Sequence, residues 1–330
     1  SVLLDAMAVI YPTCDTGPQW YPGVGGRLNR PFYQAARTLI YYADQYDLTF
    51  ASPEWDLPSA DPAAGTRRDN VALNLLSNAG EYCFSEIQRI MPKSLNNGFS
   101  DYLQGMVAAG RVLRRHDWVD YALNSELSIF HFIENTIDRD GQYFETAFMY
   151  SSHALDLFSH HAEMLRHYRG EDLAAPINLY EHPKLKLAFL RSERDIIYAG
   201  HVPPLGDTGP TTRVIRGEQI SAPNPYTVRR LEVLAARLAG PTARQQTLDL
   251  LRKTVGDIET ARTRAGSLTL WLVYHAAEVG DTGADRERAS NQGAVGNTLL
   301  TGPRGIGILR SGSREDTAAL LRWGVTLNHG

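Results

Sequence analysis

The segment Asp140-Gly141-Gln142-Tyr143-Phe144-Glu145, with Tyr150 five residues beyond it, decides how this chain is organised. Asp-Gly is a strong reversal signal, because glycine takes positive φ without steric cost and aspartate bonds to nearby backbone N–H groups. Apolar residues recur at helical spacing before it, through Leu123, Leu127, Ile129, Phe130, Ile133 and Ile137. They recur again after it, through Phe148, Ala154, Leu157, Phe158 and Leu165. The spacing predicts one helix over 118–137 and another over 145–169, joined by a turn, with Glu145 and Tyr150 near the mouth of the hairpin. Polar and aromatic groups gathered there suit a cleft better than a core.

Working outward, the same periodicity predicts helices over 31–47, 68–90, 102–115, 183–197, 225–238, 243–265 and 268–279, so the fold class is mainly α, built of successive helical hairpins. The pattern changes near the end. Two short apolar runs, 306–310 and 318–324, flank the polar stretch 311–316 and read as a β-hairpin. A lone hairpin is marginal in water, so a β-rich partner following Gly330 is expected.

Composition removes several function classes. The 330 residues are 43% hydrophobic and 21% charged, with a net charge of −4, which gives no electrostatic case for nucleic acid or an anionic membrane. No apolar run is long enough for a membrane span. Cys14 and Cys83 have no metal-ligand spacing and suffice for one disulfide at most. The chain starts at Ser1 without Met and without a signal-peptide pattern, which leaves room for an export signal already removed.

Three groups carry recognisable chemistry. Tyr150 is a phenol, a weak acid or base until its surroundings adjust it. The stretch from Ser94 to Asp101 presents the adjacent amides Asn96 and Asn97 at the entrance to a helix, and an amide donates hydrogen bonds to a carboxylate without adding charge. His329 offers an imidazole that exchanges protons near neutral pH. Together these are the parts of a β-elimination site on a uronic acid. The amide neutralises the sugar carboxylate, Tyr or His removes the C5 proton, and Tyr protonates the oxygen leaving C4.

The order of motifs adds to this. Asn96-Asn97-Gly98, then Asp140-Gly141-x-x-x-Glu145-x-x-x-x-Tyr150, then Val202 to Gly209, then Gly305 to Gly312, then Asn328-His329-Gly330 resembles the ordered blocks of heparinase II/III-like and related alginate polysaccharide lyases. The resemblance covers the chain from Asn96 to its last residue. It implies an incomplete (α/α) toroid over 1–297 and, over 298–330, the first strands of an antiparallel β-sandwich. It implies Tyr150 as catalytic acid, Asn96 or Asn97 as carboxylate neutraliser, and His329 as a second base or positioning group. Glu145, Tyr143, His153 and Asp207 are the candidate substrate contacts. The implied partner is an acidic oligo- or polysaccharide and the implied location periplasmic or secreted. No cofactor or metal is expected in this segment, a structural metal being reserved for the β-rich part. Where several relatives carry a histidine after the first motif's asparagine, this chain has Asn97 or Gly98.

Each group also has a plainer role open to it. Asn96 and Asn97 are natural cap and turn residues, Glu145 suits a helix N-terminus, and Tyr150, His153 and Tyr143 suit packed positions. Asp207 suits a loop-ordering role. His160 and His161 are adjacent on a helix and point about 100° apart, which disfavours a shared ion. Two other function classes stay open: an (α/α)-barrel glycoside or unsaturated-uronide hydrolase using two of Asp140, Glu145 and Asp207, and a non-catalytic glycan-binding module.

Overall fold

The computed structural model describes residues 1–14, 33–90, 95–145, 147–169, 177–191, 205–206, 214–215, 218–219, 231, 233–238, 240–255, 298–302, 305–311 and 317–324. Within them the chain is mostly helical, with a three-stranded antiparallel sheet over 298–322. It divides into two compact units, Ser1–Asn135 with His160–Ile177, and Thr136–Ser159 with Asn178–Gly330.

Among its described residues the first unit is mainly helical. It holds α1 (Val2–Ile10), α2 (Tyr33–Leu48), α3 (Arg67–Asn70), α4 (Asn78–Ile90), α5 (Asn97–Leu113), α6 (His116–Asn124) and nearly all of α7 (Ile129–Thr136). A π-helical stretch, Val71–Ser77, carries α3 into α4, so the predicted helix over 68–90 is continuous but widened. Periodicity does not predict α1, because its sequence VLLDAMAVI has almost no polar face to mark a period. Its one charge is what fixes it. The buried Asp5 carboxylate accepts from Ser59 Oγ (2.7 Å), the Ala60 N–H (2.8 Å) and Asn70 Nδ2 (2.8 Å).

At the centre stands α5, whose residues from Gly98 to Gly110 are all buried. A helix buried on every side must admit its neighbours closely, and Gly105 does so: a Cβ there would stand 3.1 Å from the Ala36 backbone of α2. The helix begins at Asn97, five residues before the predicted start, because Asn96 caps it. It ends at Arg114, whose left-handed φ of 58° lets the Arg115 N–H reach the Gly110 carbonyl at 2.8 Å. The predicted single helix over 118–137 is two. Ser125 Oγ accepts the Leu127 N–H at 3.2 Å and Ser128 Oγ the His131 N–H at 3.2 Å, so a local cap and turn interrupt an otherwise helical pattern.

The second unit opens on the Asp140-Gly141 reversal. The Gly141 N–H reaches the Asp138 carbonyl (3.0 Å), the Asp138 N–H reaches the Gln142 carbonyl (2.9 Å), and Ile137 pairs with Tyr143. Asp138 Oδ1 accepts from the N–H groups of Asp140 (2.8 Å) and Gln142 (2.9 Å), and Gly141 takes φ 79°. The turn is thus a tight β-type hairpin, and α8 (Phe148–Leu165) starts three residues after Glu145 rather than at it. A short 3₁₀ turn, Leu179–Glu181, leads into α9 (Pro183–Arg191), and α10 (Pro241–Val255) follows the two-residue pair β1 (Val214–Ile215) and β2 (Glu218–Gln219). The predicted helix over 268–279 lies outside the described residues.

The sheet is β3 (Thr298–Leu300), β4 (Ile306–Ser311) and β5 (Thr317–Arg322), in that order and antiparallel. Strands β4 and β5 are the predicted hairpin, in register from Ile306 opposite Arg322 to Ser311 opposite Thr317. Its inner face, Leu300, Ile306 and Ile308, packs on Phe148 of α8. Its outer face is also apolar. Leu299, Leu309 and Leu321 are 65%, 62% and 67% exposed, and the Trp323 indole lies over the Cα positions of Gly305 and Gly307. The Asp140 turn docks on the β3–β4 connection: Asp140 Oδ2 accepts the Gly302 N–H at 2.6 Å, and Arg139 donates to the Thr301 carbonyl.

Gly141→Ala tests this turn. The left-handed backbone costs an alanine about 1–2 kcal/mol, and the new Cβ would stand 3.0 Å from the Leu187–Ala188 backbone. Urea denaturation is expected to show destabilisation of at least that size.

Candidate functional site

Asn96 and Asn97 belong to the first unit. Asn96, extended at φ −114° and ψ 175°, is the N-cap of α5, its Oδ1 accepting the Phe99 N–H at 3.3 Å. Asn97 is the first helical residue, and both are half-buried. The cap commits the acceptor end of the Asn96 amide to the helix. What such a side chain offers an anion is its N–H₂ group, beside backbone N–H groups at the positive end of a long helix.

Beneath this turn is a polar cluster that the sequence reading did not single out. Arg37 of α2 forks the Asp101 carboxylate, Nε to Oδ1 and Nη2 to Oδ2, both at 2.8 Å. The Asp101 side chain is 0% exposed, that of Arg37 35%, and the guanidinium lies 4.6 Å from the Tyr33 ring centroid. His161, near the end of α8, is fully buried, and the Ser100 backbone and the Asp101 charge both act on its titration. Among the described residues neither of its ring nitrogens finds a hydrogen-bond partner in good geometry. Burial pulls its pKa down to about 4, so the ring is neutral at physiological pH. Ser100 Oγ and the Gln104 amide, one turn apart on α5, are likewise buried and unpartnered among the described residues.

The only hint of this cluster in the sequence is Arg37 and Asp101 standing within apolar helical patterns. His160 and His161 part company as their 100° separation requires, His160 half-buried and His161 fully enclosed. The nearest phenol on α5, Tyr102, is no substitute for Tyr150: it is buried, and burial pushes its hydroxyl far above the ordinary tyrosine value.

The second unit holds the other candidates. Tyr150 is the third residue of α8, half-buried, its N–H on the Ala147 carbonyl at 3.1 Å. His153 follows one turn later on the same face and is also half-buried. Tyr143 is 3% exposed, its ring edge-on to Phe144 with centroids 5.0 Å apart, and Glu145 is 0% exposed. Asp140 spends its carboxylate on Gly302. His329 and Asp207 lie outside the described residues. Both thiols, Cys14 and Cys83, are free, and no three His, Cys, Asp or Glu side chains group as a metal-binding set among the described residues. Compared with known proteins, the chain matches no family model and no curated relative.

The buried imidazole makes stability acid-sensitive in a defined window. A free histidine titrates near 6.5 and His161 near 4, so between these values the unfolded chain binds the extra proton and the folded state loses ground as pH falls. At about 1.4 kcal/mol per pH unit, the loss from pH 7 to pH 4 is roughly 3 kcal/mol. Urea denaturation across that range is expected to show it, and His161→Phe to remove that component.

Proposed function

We propose that this chain is the helical part of a polysaccharide lyase, cleaving a uronic-acid-containing polymer by β-elimination. In this reading the helical hairpins form an incomplete (α/α) toroid and the strands over 298–322 open an antiparallel β-sandwich. The observation that carries the reading is a pairing of chemistry with position. An uncharged amide, Asn96, and a phenol, Tyr150, each occupy the start of a long helix, half-buried rather than sealed in the core. The ordered motifs described above support the same assignment.

The roles follow from the reaction's charge flow. Abstracting the C5 proton places negative charge on the sugar carboxylate as an enolate, and donors present before the reaction begins stabilise that charge most cheaply. The N–H₂ group of Asn96 or Asn97, with the N–H groups of the first α5 turn, supplies such donors without a counter-charge that would hold the ground state equally well. Tyr150 protonates the departing C4 oxygen, and Tyr150 or His329 takes the C5 proton. The substrate is an acidic oligo- or polysaccharide, and the proposed location is periplasmic or secreted. A hydrolase needs two available carboxylates. Asp140 is engaged by Gly302 and Glu145 has no exposure, which weighs against that alternative.

Two measurements test the proposal. The enzyme given alginate, heparan sulfate, hyaluronan or chondroitin is expected to release products with a C4–C5 double bond, seen as new ultraviolet absorbance. Tyr150→Phe should lower turnover about 10²- to 10⁴-fold with the fold unchanged; unchanged turnover would remove Tyr150 from the mechanism. Asn96→Asp separates structure from function, since aspartate caps a helix as well as asparagine does. Stability is expected to hold, while kcat/KM falls about 10²-fold or more because a like charge meets the uronate.

A further inference from the structure

We propose that the C-terminal ends of α5 and α8 form an anion-binding patch, built on Arg111, Arg114, Arg166 and Arg169, which holds the acidic polymer at a distance from the reacting sugar; the inference rests on the substrate class proposed above. The chain carries a net charge of −4, yet its segments 111–115 and 166–169 hold three and two arginines. Tyr168 brings the two segments together. The Arg111 guanidinium lies 5.2 Å from its ring centroid, and its hydroxyl donates to Asp120 Oδ1 at 3.0 Å and lies 3.3 Å from His116 Nδ1. The ring is buried, so it is a fixed support for the cation above it.

Most of this charge is not spent inside the protein. Arg115 is engaged, bonding Asp117 at 2.7 Å and Glu81 at 3.2 Å. Arg111, Arg114, Arg166 and Arg169 have no carboxylate partner among the described residues; the first two and Arg169 are exposed, and Arg166 is half-buried. A cation in the last turn of a helix meets the negative end of its dipole, which accounts for Arg111 but not for Arg114, beyond the last turn of α5. Arg114 is the one non-glycine residue with left-handed backbone among the described residues, at φ 58° and ψ 31°. Glycine is the ordinary occupant of such a cap. An arginine held there against its backbone preference, exposed and without a protein acceptor, points to a use outside the chain. The planar, weakly hydrated guanidinium suits carboxylate and sulfate groups, which it binds with two parallel hydrogen bonds. Because the 17 residues of α5 separate Arg114 from Asn96, at a rise of about 1.5 Å each the patch stands about 25 Å from that amide. A long polymer reaches both places and a short oligosaccharide only one, so the patch acts by raising the local concentration of polymer.

The test titrates the wild-type chain with alginate and heparan sulfate, using neutral dextran and duplex DNA as comparisons. Arg114→Gly combined with Arg169→Gln removes two exposed guanidiniums, and glycine suits the backbone at 114, so thermal unfolding is expected at or above the wild-type temperature. Affinity for the acidic glycans should fall about tenfold, equivalent to about 1.4 kcal/mol, and should depend less steeply on salt because fewer counterions are displaced. Arg67→Gln combined with Arg68→Gln takes the same charge from arginines already paired with Glu54 and Asp56, and should leave affinity nearly unchanged. On long polymer the patch variant is expected to raise KM about tenfold with kcat held, and on short oligosaccharides to alter neither. Equal binding by wild type and patch variant, an equal loss in both variants, no binding of either acidic glycan by wild type, or dextran or DNA bound as tightly as the glycans, overturns the inference. If binding depends on the patch but no unsaturated product forms, the lyase reading fails on its own and the patch stands.

Discussion

The first unit depends on one buried ion pair. Asp101 sits without solvent in a helix that is enclosed on all sides, and the two-pronged guanidinium of Arg37 offsets its charge there. A buried pair of this kind adds little net stability over well-packed apolar residues, yet removing one partner strands a charge at a cost of about 3–5 kcal/mol. What it supplies is specificity. It fixes the register of α2 against α5, where Gly105 and Ala36 bring the two backbones together, and it sets the rotation of α5 about its axis. That rotation decides where the Asn96 and Asn97 side chains emerge.

The chemistry proposed for the chain uses the same physical device twice. Asn96 and Tyr150 each stand where backbone N–H groups lack partners of their own helix, so each is set in a field that favours negative charge. A reaction that moves charge onto a sugar carboxylate and then onto a leaving oxygen makes use of such fields without cationic side chains. Residues that appear in the sequence as equal candidates are sorted by burial: Glu145 and Tyr143 are enclosed, whereas Tyr150 and His153 are half open.

Local features of the fold were legible and tertiary ones were not. The Asp140-Gly141 reversal could be read because Gly141 supplies the positive φ the turn requires, although the carboxylate that closes the turn is that of Asp138 rather than Asp140. The β4–β5 hairpin could be read because two apolar runs flank a polar turn. Helix α1 was hidden by its nearly uniform apolarity, and the α6–α7 break by serines whose capping role appears only when their hydroxyls turn back to the chain. The amides at 96 and 97 were visible as a motif. The Arg37, Asp101 and His161 cluster was not, because a polar residue inside a helix reads as surface until its neighbours are known. Its members come from three helices, with 64 residues of chain between Arg37 and Asp101 and 60 between Asp101 and His161.

The sheet's second apolar face has a practical bearing on how this molecule behaves in the laboratory. Leu299, Leu309 and Leu321, flanked by Trp323, make a flat hydrophobic plate open to water, and such plates adhere to one another as concentration rises. Dimers or larger species of this chain seen on a sizing column would therefore report on the stickiness of that plate, and a polar replacement at Leu309 would be the natural control before any such species is read as a working assembly.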